Sequence, residues 1–218
     1  MTPERFARLR AVLDRRQPDL TVLADYVHKP HNISAIIRSC DAFGVAEVHL
    51  AMSDSDRTTF RAAKGAAQGA EKWVDITLHE HIGGAIEDLQ QREFQVCAAH
   101  LSARAVSYRE IDFCRPTAVL LGAEKDGVSE AVAEQVDQHI VVPMVGMVES
   151  FNVSVAAAII LSEAHNQRRS AGYFDTARLD TDRYARTLFR WAHPKVAALL
   201  DERGEPYPAL DDEGSIQW

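Results

Sequence analysis

Asn32 and Arg38 are the first residues of this chain whose types and spacing suggest chemistry. They stand six residues apart in NISAIIR, about 9 Å along a helix axis. Between and after them, Ile33, Ile36, Ile37 and Cys40 recur at helical spacing and supply a buried stripe. An arginine flanking an apolar helix face needs a carboxylate or a phosphate as partner, so a structural ion pair and a phosphate site are both open. A second candidate is GAEKDG, residues 122–127, directly after the apolar run AVLL. Open parallel sheets take ligands beyond the carboxyl ends of their strands, although a plain structural turn reads the same way. The third stretch is IVVPMVGMVESFNVSVAAAIIL, residues 140–161, which reads as a strand ending at Pro143, a break at Gly146, a polar patch of Glu149, Ser150 and Asn152, and an apolar helix. Ser150, Asn152 and Ser154 are all suitable N-cap residues, and free N–H groups at such a helix start can hold a polar ligand or simply be capped.

Other chemistries are missing from the sequence. Gly127 is followed by Val128-Ser129 rather than Lys-Ser/Thr, so residues 122–127 are not a P-loop. No G-x-G-x-x-G dinucleotide fingerprint and no G-x-S-x-G nucleophile elbow is present. His28 with His31, or His79 with His81, could be drawn as metal pairs, but no further ligands complete either site, and solvent-facing loop positions are expected for both. No metal is expected.

The elements that must position these residues follow from periodicity and punctuation. Residues 3–16 read as a helix with Phe6, Leu9 and Leu13 on one face, broken at Pro18. Strands are expected at residues 20–24, 46–51, 73–76, 94–99, 117–121 and 140–143. Helices are expected from Asn32, capping, to Gly44, then at residues 57–69, 82–92 and 129–136, and from Val153 onward. Residues 153–161 are apolar enough to predict burial nearly all round. The fold class is α/β: a mostly parallel sheet with helices on both faces, plus N- and C-terminal helical extensions. The expected domains are an N-terminal basic helix at 1–19, an α/β domain at 20–169 and a C-terminal helical extension and tail at 170–218.

With 218 residues, 46% hydrophobic and 26% charged, the chain has room for one domain with a substantial core. No apolar run reaches membrane-span length, and residues 1–16 lack the pattern of a signal peptide, so a cytoplasmic protein is expected, with no membrane partner. Cys40, Cys97 and Cys114 form no C-x-x-C pair and read as reduced thiols. The net charge of −8 argues against nucleic acid, but it is unevenly spread. Residues 1–16 carry five Arg against Glu4 and Asp14, 5 − 2 = +3, whereas residues 201–218 carry Arg203 against six acids, 1 − 6 = −5.

Taken together and in order, NISAIIRSCDAFG (32–44), LLGAEKDGVSE (120–130) and residues 140–161 resemble the SpoU branch of the SPOUT RNA 2′-O-ribose methyltransferases. Residues 5–23, HKPHN (28–32) and residues 109–127 extend the likeness toward the members that methylate guanosine 18 in the tRNA D-loop. The resemblance implies a C-terminal trefoil knot, S-adenosylmethionine as cofactor, a homodimer, and tRNA as the RNA partner. rRNA ribose methylation, or RNA binding without catalysis, are the alternatives. It also implies roles for residues of this sequence. Arg38 would be the catalytic arginine, supported by Asn32, with Glu124, Ser150 and Asn152 lining the reacting site. The cofactor would be held by Leu121, Gly122, Glu124, Gly127, Ile140, Pro143, Met144, Gly146, Met147, Ser150, Asn152, Val153 and Ser154. Arg8, Arg16, His31 and Arg168 would contact RNA.

Overall fold

The computed structural model describes residues 1–53, 55, 57 and 69–217. Seven strands among them form one sheet: β1 (Gln17–Asp25), β2 (Val45–Ala51), β3 (Asp75–His79), β4 (Gln95–Ala99), β5 (Val106–Ser107), β6 (Thr117–Leu121) and β7 (Gln138–Val141). Their spatial order is β3-β2-β1-β6-β4-β7-β5, and β1–β6, β2–β3, β4–β6, β4–β7 and β5–β7 pair in parallel. Among the described residues, helix α1 (Pro3–Leu13) precedes the sheet, and α2 (Pro30–Ala42), α3 (Gly83–Gln91), α4 (Glu130–Ala133) and α5 (Val153–Ser170) alternate with or follow its strands. Two more, α6 (Thr181–Ala192) and α7 (Pro194–Arg203), complete the chain. The expected α/β class and largely parallel sheet are found. The helix expected at 57–69 falls almost wholly outside the described residues.

Period-two alternation makes both faces of the sheet apolar, as buried parallel strands require. Val22, Val119, Leu121, Cys97 and Ile140 pack on one face with Ile33, Ile36 and Ile37 of α2 and Ala157, Ile160 and Leu161 of α5. Leu23, Ala118, Leu120, Val96 and Ala98 pack on the other with Ile82, Ile86 and Leu89 of the α3 region and Ala133 of α4. Each fully buried side chain of this kind is worth roughly 1.5–3 kcal/mol of transfer free energy, and β6, in the middle of the strand order, is buried along its whole length.

Three local expectations change. Pro18 lies inside β1 instead of breaking before it. Helix α2 starts at Pro30 with Lys29 as N-cap, because the fixed φ of proline suits the first helical position; Asn32 is therefore within the first turn, not its cap. Finally, α5 is not buried all round: Val155 is 44% exposed, and its buried residues are Ala157, Ile160, Leu161, Ala164 and Arg168.

Contacts divide the chain into two units, residues 18–171 and residues 1–17 with 172–218. The terminal segments, expected as separate extensions, thus belong to one unit with its own small core of Phe189, Ala197 and Leu200. Within it, Tyr184 Oη donates to Asp14 at 2.6 Å, tying α6 to the end of α1.

Candidate active site

Glu124 is the centre of a polar chain linking three segments. Its carboxylate accepts from the backbone N–H of His28 (3.2 Å) and Lys29 (3.1 Å), ahead of α2, and from the Asn32 side-chain amide at 2.8 Å. The Asn152 amide donates to Asn32 Oδ1 at 3.1 Å. Asn152 Oδ1 in turn accepts from the backbone N–H (2.9 Å) and hydroxyl (2.6 Å) of Ser154, capping α5. Asn32 is buried and Glu124 half-buried. Partial burial opposes the charge on Glu124, but bonds from Asn32, its own backbone, Lys29 and His28 outweigh it and hold the carboxyl below the ordinary glutamate range. The network joins residues 28–32, 122–127 and 152–154 at the carboxyl ends of strands, the expected ligand face of such a sheet.

The loop after β6 closes on itself. Ala123 N donates to Gly127 O at 3.1 Å and Gly127 N to Ala123 O at 2.9 Å. A Cβ on Gly122 would lie 2.2 Å from the Gly127 carbonyl carbon, so no other residue fits there. Gly127 has φ +67° but open space around it; its demand for glycine comes from backbone conformation alone. Beside buried Leu121, Ala123 is half-buried and Lys125 and Asp126 are exposed. In the chain after β7, Ile140 is buried while Pro143, Gly146, Met147 and Ser150 are exposed and Met144 and Val153 half-buried. This arrangement combines a buried apolar base from Leu121 and Ile140 with exposed loop residues on both sides, and suits an organic cofactor.

Arg38 is exposed, two turns beyond Asn32 on α2, and makes no hydrogen bond or ion pair among the described residues. The ion-pair alternative for it is therefore absent there, and its fork is open to an external acceptor. His31 and Arg8 are likewise exposed. Two of the arginines expected to contact RNA do not face outward. Arg168 is fully buried. It pairs with Asp19 and donates to the carbonyls of Phe113 (2.8 Å), Asp19 (2.9 Å) and Arg115 (3.2 Å), which satisfies its charge inside the α/β unit. Arg16 is buried with its guanidinium 5.2 Å from the Trp191 ring centroid. Both are structural corrections to the sequence reading. His79 is also not a loop residue: it ends β3, half-buried, 3.0 Å from the His49 ring.

Residues 100–105 escaped the sequence reading. They join β4 to β5, which flank β7 on opposite sides, so this segment crosses β7 as a strap. His100 N donates to Ile140 O at 3.2 Å, and Leu101 is 76% exposed at the same end of the sheet. The one available signal was the Ser/Ala/Arg stretch after the apolar run 94–99, a pattern indistinguishable from an ordinary loop.

The site thus sets two loops at the carboxyl ends of a parallel α/β sheet beside a helix whose exposed Arg38 has no partner among the described residues. Residues 19–162 match the SpoU rRNA Methylase family and residues 166–218 its C-terminal region. The chain belongs to the SpoU methylase family. It is 45% identical to the tRNA (guanosine(18)-2′-O)-methyltransferase of Escherichia coli K12 over 219 aligned residues, covering 100% of this chain and 94% of that protein. The crystal structure of the Aquifex aeolicus TrmH/SpoU tRNA modifying enzyme superposes with a TM-score of 0.82 at 39% identity, over 88% of this chain and 97% of that one. The SpoU methyltransferase AviRb from Streptomyces viridochromogenes, solved in complex with the cofactor AdoMet, superposes with a TM-score of 0.63 at 28% identity, over 71% of this chain and 60% of that one.

Proposed function

We propose that this chain transfers the methyl group of S-adenosylmethionine to the ribose 2′-hydroxyl of guanosine 18 in the D-loop of tRNA. The observation that carries this reading is the Glu124–Asn32–Asn152 network, which ties the helix bearing Arg38 to both cofactor loops. The near full-length match to a tRNA enzyme supports tRNA over rRNA. S-adenosylmethionine supplies an already activated methyl group, so the protein's part is alignment and proton removal. Leu121, Gly122 and Ile140 form the floor on which the cofactor lies. Pro143, Met144, Gly146 and Met147 flank it, with Gly127, Ser150, Val153 and Ser154 on the loop rims. Arg38 orients the phosphate beside the reacting ribose through its planar fork; an arginine of ordinary pKa is a poor base.

The RNA grip in this reading lies with the basic helices of the terminal unit. Residues 18–171 hold 13 Lys and Arg against 21 Asp and Glu, 13 − 21 = −8, while the remainder of the chain balances at 11 − 11 = 0. To the helices of the terminal unit the reading adds His31, exposed in the first turn of α2 in the 18–171 unit; with Arg8 on α1 it is an exposed RNA contact, and binding is expected to weaken with salt. The active unit is a homodimer: Val145, Met147, Val148, Phe151 and Val155 form an exposed apolar run that a second copy would cover. The strap over β7 supports a trefoil knot in the same region. No helix among the described residues is long and apolar enough to cross a membrane, and the reading puts the enzyme in the cytoplasm with its tRNA.

The test is single-turnover methyl transfer to total tRNA and to rRNA, with mapping of the modified nucleotide, for the unaltered chain and for Arg38→Lys. Transfer to guanosine 18 is expected, with Arg38→Lys at least about a hundredfold slower. Because Arg38 is exposed and has no partner among the described residues, melting temperature and cofactor affinity should stay unchanged. Methylation confined to rRNA would overturn the substrate, and a variant keeping most of its rate would overturn the role of Arg38.

A further inference from the structure

One polar cluster lies outside the network described above. His139 on β7 is buried, and three side chains or backbone groups converge on it. Ser102 Oγ is 2.7 Å from Nδ1, Arg104 Nη2 is 2.7 Å from Nε2, and Ala133 O is 2.8 Å from Nε2. Arg104 Nη2 is also 2.7 Å from Ala133 O. His100 packs edge-on against the same ring, centroids 4.9 Å apart. A guanidinium only donates. Nε2 also lies against the Ala133 carbonyl, which only accepts, so one ring tautomer takes a bond from Arg104 and the other donates to Ala133 O, while Ser102 Oγ satisfies Nδ1 in either. Arg104 completes the triangle by donating to Ala133 O as well.

His100, Ser102 and Arg104 all belong to the strap, while His139 and Ala133 belong to β7 and α4 beneath it. The strap carries few other bonds: His100 N to Ile140 O, and a turn from Ala105 N to Ser102 O at 3.1 Å. A six-residue crossing with so few backbone bonds has no fixed shape of its own. Its side chains converge on one imidazole and on the Ala133 carbonyl beside it. The strap's His100 N–H bonds the carbonyl of Ile140, which lies on the floor of the cofactor site proposed above.

We propose that His139, with Ser102 and Arg104, is the positioning device that shapes the strap into a third wall of the S-adenosylmethionine site, and so sets cofactor affinity without touching the reacting atoms. The proposal rests on the cofactor reading of the preceding subsection. Arg104 is exposed apart from its buried contact, so replacing it should leave the core intact.

The experiment measures S-adenosylhomocysteine binding by calorimetry on the full chain, with KM for S-adenosylmethionine, KM for tRNA, kcat and melting temperature on the same preparations. Arg104→Met is expected to weaken S-adenosylhomocysteine about tenfold, the scale of one lost charge-assisted hydrogen bond. KM for S-adenosylmethionine should rise in parallel, with kcat at saturation, KM for tRNA and melting temperature unchanged. His139→Gln, whose amide oxygen can still accept from Arg104 near the Nε2 position, should lose less than His139→Leu. Cofactor affinity within about twofold of the unaltered chain in both folded Arg104→Met and His139→Leu would overturn the strap proposal alone. Failure of the unaltered chain to bind S-adenosylhomocysteine would overturn the cofactor reading and the strap proposal together.

Discussion

The two loops at the heart of the site are built in opposite ways. Residues 122–127 form a closed unit: paired backbone bonds, a glycine wedged against backbone, and a glutamate with three donors. Residues 144–151 are open: Val145 and Met147 are fully exposed, Val148 is 66% exposed, and regular structure returns only at the Asn152 cap. A loop that satisfies its own polar groups holds its shape before any ligand arrives, and its contribution is preorganisation. A loop that leaves apolar side chains in water is incomplete alone, and gains stability from whatever covers it. The first loop is thus preorganised, while the second carries exposed apolar side chains that a ligand or partner would cover.

The sharpest way to break this contrast is at Gly122. Gly122→Ala forces a methyl within 2.2 Å of the Gly127 backbone and should abolish S-adenosylhomocysteine binding by calorimetry. Gly127→Ala meets no atom within 4 Å and carries only the strain of φ +67°, about 1 kcal/mol, so it should still bind. Equal effects from the two substitutions would remove the distinction between a wedged and a merely strained glycine.

A second, somewhat smaller effect is expected in the open loop. Met147→Asp with Val155→Asp should convert a dimer into a monomer in sedimentation at low micromolar concentration, while circular dichroism stays that of a folded protein. If the unaltered chain sediments as a monomer and still methylates tRNA, the open loop is covered by something other than a second copy.

The smallest expected effect is the pH dependence of the closed loop. The hydrogen bonds on Glu124 lower its pKa on folding. Its stabilising contribution is therefore fully present above the ordinary glutamate range and is lost as pH falls through that range to the lower folded value. Denaturant midpoints of the unaltered chain and of Glu124→Gln should differ at neutral pH and converge as pH falls below the ordinary glutamate range. A difference constant with pH would mean that the charge of Glu124 contributes nothing to the loop.

Much of this architecture was legible from residue order. The alternation of apolar runs with Gly and Pro punctuation located six of the seven strands to within a few residues, because parallel strands buried on both faces leave an unmistakable apolar block. β5 went unnoticed because two residues carry no periodicity. The spacing from Asn32 to Arg38, the glycines of residues 122–127 and the Asn152 cap were likewise visible as local chemistry.

Burial and long-range pairing were not. Arg8 and Arg168 look alike in sequence, yet one faces water and the other is buried against Asp19 and three carbonyls, partners up to 149 residues away in the chain. Asn32 looked like a cap and became the link between Glu124 and Asn152, 92 and 120 residues distant. The strap looked like an ordinary loop until β4 and β5 were found on opposite sides of β7. By itself the sequence determined the elements, the fold class and the residue types at the site, since these follow from propensity and periodicity within a few turns of chain. Only the tertiary structure decided which polar groups meet, because a hydrogen-bond partner is set by the packing of distant segments, and local pattern carries no record of it.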